Sequence, residues 1–168
     1  MRSEDKRVRN EILDMIYNNS KVSPEDIAVM LGTSKEEVEA EIAAMEKEGI
    51  ICGYPTMVNW EKTDCEKVSA MIEVRVTPQR GLGFDKIAER IYKFDEVESV
   101  SLMSGGFDLS VTIEGKSMRE VARFVHEKLA PLDSVQSTST YFVLKKYKEH
   151  GVIIADSKPS EGRMKISP

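Results

Sequence analysis

The chain has 168 residues, with 24 Lys plus Arg against 29 Asp plus Glu and a formal net charge of −5. That length fits one medium domain or two small ones, and the charge lacks the basic excess that usually marks a nucleic-acid binder. No apolar run reaches the roughly 18 residues of a membrane span, the charged opening Met1-Arg2-Ser3-Glu4-Asp5 leads into no apolar signal region, and Cys52 and Cys65 are too few for a disulfide framework or a four-cysteine zinc site; the chain is expected to be cytoplasmic with free thiols.

The negative charge is unevenly spread. Residues 1–55 hold seven basic and twelve acidic residues, 56–150 hold fourteen and fifteen, and 151–168 hold three and two. The excess therefore sits in the N-terminal third. There Val8, Ile12, Met15 and Ile16 recur at helical spacing and predict a first helix from about Lys6 to Asn18. Ser23-Pro24-Glu25-Asp26 starts a second: an N-cap serine, proline in the first turn, and acids at the positive end of the helix dipole. Gly32 stops it. Ser34, with Glu37 three residues on, is a capping box for a third helix, whose stripe is Val38, Ile42 and Met45 and which closes at Gly49. Helix, short glycine-containing turn, helix is the helix-turn-helix pattern, whose second helix reads DNA. The plain alternative is a small helical dimerisation unit. Ile50 to Pro55 predicts a short strand or wing, and residues 56–66, with Val58 and Trp60 as anchors, a linker.

Beyond the linker the period changes. Val68, Ala70, Ile72, Val74 and Val76 alternate with polar residues, a half-buried strand. A glycine loop at Gly81-Leu82-Gly83 precedes a helix from Phe84 to Phe94. Strands Val97–Met103 and Phe107–Ile113 flank the turn Ser104-Gly105-Gly106. Met118 to Leu129 is a second amphipathic helix, and Val135 to Leu144 a fourth strand. The order βαββαβ is the ferredoxin-like arrangement. The fold class is thus α+β: a (winged) helix-turn-helix domain over 1–55, then a ferredoxin-like domain over 67–154. Val152-Ile153-Ile154 is a candidate edge strand, and 155–168 reads as a flexible tail. Both helices cover one sheet face, which leaves the other for a second copy of the chain; a homodimer is expected. His126 and His150 lack ligand spacing, so no metal, cofactor or catalytic residue is expected.

Three helices, then Gly49-Ile50-Ile51-Cys52-Gly53-Tyr54, then a βαββαβ run containing Leu102-Met103-Ser104-Gly105-Gly106-Phe107-Asp108 and Ser139-Thr140-Tyr141-Phe142-Val143 resemble the leucine-responsive regulatory protein/AsnC (Lrp/AsnC) family of transcription regulators. The likeness spans about residues 8–150. It implies a sequence-specific double-stranded-DNA-binding regulator. It also implies a dimer that in many relatives assembles to an octamer, and an amino acid or similar small effector bound between C-terminal domains. Carried onto this sequence, the effector residues are Leu102, Met103, Ser104, Gly105, Gly106 and Asp108, with Tyr141, Phe142 and Val143. Backbone N–H groups of a glycine-rich turn suit a carboxylate, and Asp108 suits an ammonium. The DNA-contact candidates are Lys6, Arg7, Arg9, Lys21, Ser23, Ser34, Lys35, Glu36, Glu39 and Lys47. The third helix departs from the family: residues 34–48 hold six Glu against two Lys, which phosphates repel. Glu accepts from cytosine N4 only on a frame set by basic contacts. Two other functions stay open. One is a sensor or assembly protein that does not bind DNA; the other is an enzyme like the siroheme decarboxylases, which share the two-domain plan.

Overall fold

The computed structural model describes residues 3–77 and 83–154, the side chains of residues 3–6 excepted. The tail from 155 onward, most of the loop around Gly81, and the Lys6 side chain lie outside the described residues. The chain divides between Val58 and Asn59 into two compact units.

Three helices make the first unit: α1 (Ser3–Asn18), α2 (Pro24–Leu31) and α3 (Lys35–Lys47). Ser23 accepts from the Asp26 backbone N–H at 3.1 Å and donates to the Asp26 carboxylate at 2.7 Å. Gly32 ends α2 at φ 67°, left-handed space open to a residue without Cβ. Both arms of the Ser34–Glu37 capping box form. Ile12, Ile27, Ala28, Val38 and Met45 are buried at the centre, ringed by Val8, Leu13, Met15, Ile16, Val22, Leu31, Ile42 and Ile51. The expected wing is absent: 50–58 contains no strand. Instead the Ile50 and Ile51 N–H groups bond back to the Met45 carbonyl at 2.9 and 3.2 Å. The Tyr54 hydroxyl then donates to Glu46 at 2.7 Å. The two amides that fold back onto the helix end are not available to a ladder.

The second unit opens with a 3₁₀ turn at Trp60–Lys62, followed by β1 (Val68–Val76), α4 (Phe84–Tyr92), β2 (Val97–Leu102), β3 (Leu109–Gly115), α5 (Met118–Phe124), a π turn (Val125–Leu129) and β4 (Val135–Phe142). The sheet order is β2-β3-β1-β4, all antiparallel. Ala70, Ile72, Val74 and Val76 of β1 and Leu109, Val111 and Ile113 of β3 are buried against Ile87, Ile91, Val121, Phe124 and Leu129 of the helical layer. Phe94 and Phe124 meet edge to face at 5.6 Å. The predicted helix to Leu129 is continuous, but its last turn widens: the Ala130 N–H reaches back five residues to Val125 at 2.8 Å. Val152-Ile153 does form a strand, β6, but it pairs only with β5 (Lys148–Glu149) in a separate two-stranded hairpin. The sheet edge is not extended, because the chain reverses at once at His150-Gly151, where both residues have positive φ.

Candidate functional site

Two surfaces hold the expected functional residues, one in each unit. In the helical unit the basic residues are mostly committed to carboxylates. Arg9 of α1 is not a free DNA contact. Its Nη2 donates to Glu48 at 2.9 Å, and its Nε lies 3.2 Å from Glu41 without hydrogen-bond alignment. Its side chain is only 12 % exposed. The hydrogen bond to Glu48 raises the guanidinium pKa and lowers that of the glutamate. Arg9 therefore ties α1 to the far end of α3. Arg7 is well exposed and faces Glu11 at 3.6 Å. Lys35, the first residue of α3, is held by Glu25 of α2 and by Glu39 at 3.6 Å. Lys21 and Lys47 are exposed and have no ion pair among the described residues. Ser23 and Ser34 spend their hydroxyls on caps, and Glu36 is exposed.

The effector candidates do not converge within one chain. Leu102, Met103, Ser104, Gly105 and Gly106 are exposed at the β2–β3 corner. Asp108 anchors that corner, and its carboxylate is not turned over to a ligand alone: one oxygen accepts from the Val76 N–H at 2.9 Å. Its own N–H donates to Val74 at 3.1 Å, and its carbonyl accepts from Met103 at 2.8 Å. Tyr141 faces Met71 across the β1–β4 ladder, two strands away from β3 and several rungs along it. By strand dimensions that is about 16 Å from Asp108. Tyr141, Phe142 and Val143 also separate from one another. Tyr141 is on the open sheet face, where its hydroxyl reaches Glu73 at 3.3 Å. Phe142 turns inward and joins the core. Period-two alternation requires this of neighbouring strand residues, so Tyr141 and Phe142 do not share a face, while Val143 follows the end of β4.

Phe142 instead helps line a cavity of about 310 Å³ between α5, the π turn and β4. Its other walls are Ala122, Val125, His126, Ala130, Thr138 and Thr140. It exists because the two helices pack over β1, β2 and β3, leaving the inner face of edge strand β4 half-covered. Thr138, Thr140 and His126 are not among the effector candidates drawn from the sequence. The signal was present: Thr138, Thr140 and Phe142 alternate on one face, opposite Ser137, Ser139 and Tyr141.

On the open face Ser101, Ser110, Glu73 and Ser139 align as a polar row across all four strands, and the next row places Met71 and Tyr141 beside Ser99 and Thr112. At its edge Glu114 accepts from Lys67 at 2.7 Å and from Ser69 at 3.2 Å. Burial works against its ionisation, but Lys67, Ser69 and Lys146 outweigh that and hold its pKa below the ordinary range.

Residues 69–153, just over half of the chain, match the family described as the Lrp/AsnC ligand binding domain. The chain belongs to the Lrp/AsnC family. The HTH-type transcriptional regulator YugG of Bacillus subtilis is 52 % identical over 159 residues, covering 94 % of this chain and 95 % of that one. The leucine-responsive regulatory protein of Haemophilus influenzae is 27 % identical over 146 residues, 86 % of each. Among solved structures, the transcriptional regulator NMB0573 of Neisseria meningitidis, determined as an L-Met complex, superposes with a TM-score of 0.67 at 21 % identity, covering 84 % of this chain and 91 % of that one. This Lrp/AsnC protein is thus a DNA-binding transcriptional regulator with an α+β architecture, and its relatives are named regulators rather than enzymes. Its partners are DNA and a small-molecule effector. Among the described residues no helix is long and apolar enough to cross a membrane.

Proposed function

We propose that this regulator responds to an amino acid held in the α5–β4 cavity, completed by a glycine-rich β2–β3 turn from a neighbouring copy. The observation that carries the reading is the separation of the two half-sites within one chain. The cavity has the size of a small-ligand pocket, with apolar walls and the Thr138 and Thr140 hydroxyls and His126 as polar handles. The turn offers backbone N–H groups and the second oxygen of Asp108. An amino acid needs both kinds of group, one for its side chain and one for its charged ends. NMB0573 in its L-Met complex supplies the ligand class. Leu102 and Met103 would flank the ligand from the neighbour. Tyr141 and Val143 are then reassigned to self-association through the open face, which gives a cytoplasmic homodimer able to assemble further.

DNA contact falls to α3 and its surroundings: Arg7, Lys21, Lys35 and Lys47 toward phosphates, Glu36 and Glu39 toward base edges. A thermal-shift screen over the twenty amino acids tests the effector, because a ligand that binds only the folded state must raise its stability. One or two hits that disappear in Thr140→Val are expected. A flat screen with DNA binding intact would remove the amino-acid reading. Binding of duplex DNA from the chain's own upstream region, measured by gel shift, tests the helical unit. A homodimer predicts that Met71→Lys, on the open face, yields monomers in sedimentation.

A further inference from the structure

Lys35 occupies a position that the helix dipole does not favour. It is the first residue of α3, directly after the Ser34 cap, where the helix dipole favours acids and disfavours a cation. Its side chain is 41 % exposed, and it is held from two sides: by Glu25 in the first turn of α2 and by Glu39 one turn along α3. The N-terminal residues of the second helix in a helix-turn-helix are those that approach DNA. The other cations differ. Arg9 is nearly enclosed between Glu41 and Glu48, and Lys47 sits at the far, C-terminal end of α3. Among the described cations of the helix-turn-helix pair α2–α3, Lys35 is therefore the one that starts the second helix, is exposed enough to move, and is already engaged by carboxylates.

We propose that Lys35 is a phosphate contact masked by Glu25, so that DNA binding proceeds by ion-pair exchange: the ammonium leaves the Glu25 carboxylate for a DNA phosphate. Exposed carboxylate–lysine pairs are weak and break readily, whereas a phosphate contact gains from the release of condensed counterions. Glu25 then lowers affinity for any duplex, and the acidic charge of this domain sets a threshold for DNA binding instead of abolishing it. The inference rests on DNA binding by the helical unit.

The test is a double-mutant cycle on the full-length chain. Duplex from the chain's own upstream region and an unrelated duplex of equal length are titrated between about 50 and about 200 mM salt. Glu25→Gln should tighten binding about two- to fivefold on both duplexes, the scale of losing an exposed pair. Lys35→Gln should weaken binding and reduce the salt slope by about 0.9. The deciding arm is Glu25→Gln in the Lys35→Gln background, where the gain should vanish. An equal gain in both backgrounds would mean that Glu25 merely repels DNA, and overturns the masking. Absence of binding in every variant overturns it together with the DNA-binding role it rests on. Unchanged thermal unfolding of each variant confirms that the fold is intact in the comparison.

Discussion

Asp108 has two competing roles, and replacing it separates them. Its carboxylate accepts the Val76 N–H at 2.9 Å, at the point where the β1–β4 register shifts between Arg75 and Val76. That N–H lies beyond the last β1–β3 pair, Val74–Leu109, so the side chain takes the place of a strand partner. A hydrogen bond to a charged acceptor contributes about 1.5–3 kcal/mol, and the partly buried N–H left behind adds a desolvation cost. Asp108→Ala should therefore destabilise the sheet unit by about 2 kcal/mol, roughly 8–16 °C in Tm for a unit of this size. Asp108→Asn keeps a carbonyl acceptor of the same shape and should stay within about 1 kcal/mol of the wild type. The same Asn variant cannot neutralise an ammonium, so it should lose the stabilisation that an amino acid confers on the native chain. Urea unfolding followed by circular dichroism, with and without the hit from the amino-acid screen, reads both quantities. If Asp108→Ala unfolds with the wild type, the bond to Val76 is not structural. If Asp108→Asn keeps the full ligand shift, Asp108 does not hold an ammonium.

Met45 is fully buried at the centre of the helical unit, so Met45→Ala should cost about 2–5 kcal/mol. In calorimetry the helical unit should melt early while the sheet unit keeps its own transition; a single unshifted transition contradicts this. Gly32→Ala places a Cβ in left-handed space at φ 67° without any clash, and should lower helical-unit stability by about 1 kcal/mol in denaturant titration. Glu114, with its folded pKa depressed, gives stability that is fully present above the ordinary glutamate value of about 4.3. That stability is lost as pH falls through the lower folded value. Glu114→Gln should flatten the acid limb of the Tm–pH curve and leave the neutral region with a small loss; an unaltered acid limb excludes the carboxylate. Thr138→Val removes a hydroxyl from the cavity at nearly constant volume, and should weaken the effector-induced shift without altering DNA affinity of the ligand-free protein, as read by parallel thermal-shift and gel-shift titrations.

Local chemistry decided much of this molecule before any tertiary contact. Ser23, Gly32 and the Ser34–Glu37 box bound α2 and α3 because caps satisfy backbone groups within a few residues. Val68 to Val76 alternate because one sheet face is buried, and the order of elements through β4 follows from such patterns. The family likeness rests on the same short stretches. What sequence could not decide involves partners far apart along the chain. Arg9 reads as an open cation, but folding brings Glu41 and Glu48 to it, and Asp108 reads as a ligand group alone, but folding also brings the Val76 N–H to one of its oxygens. The β-branched residues Ile50 and Ile51 favour a wing, but Gly49 turns the chain back onto the end of α3. The cavity beside Thr138 and Thr140 depends on which strands the helices leave uncovered, a property of packing that no single segment encodes. The composition placed the negative charge on the helical unit; only the fold shows that much of that charge is spent holding the unit's own cations.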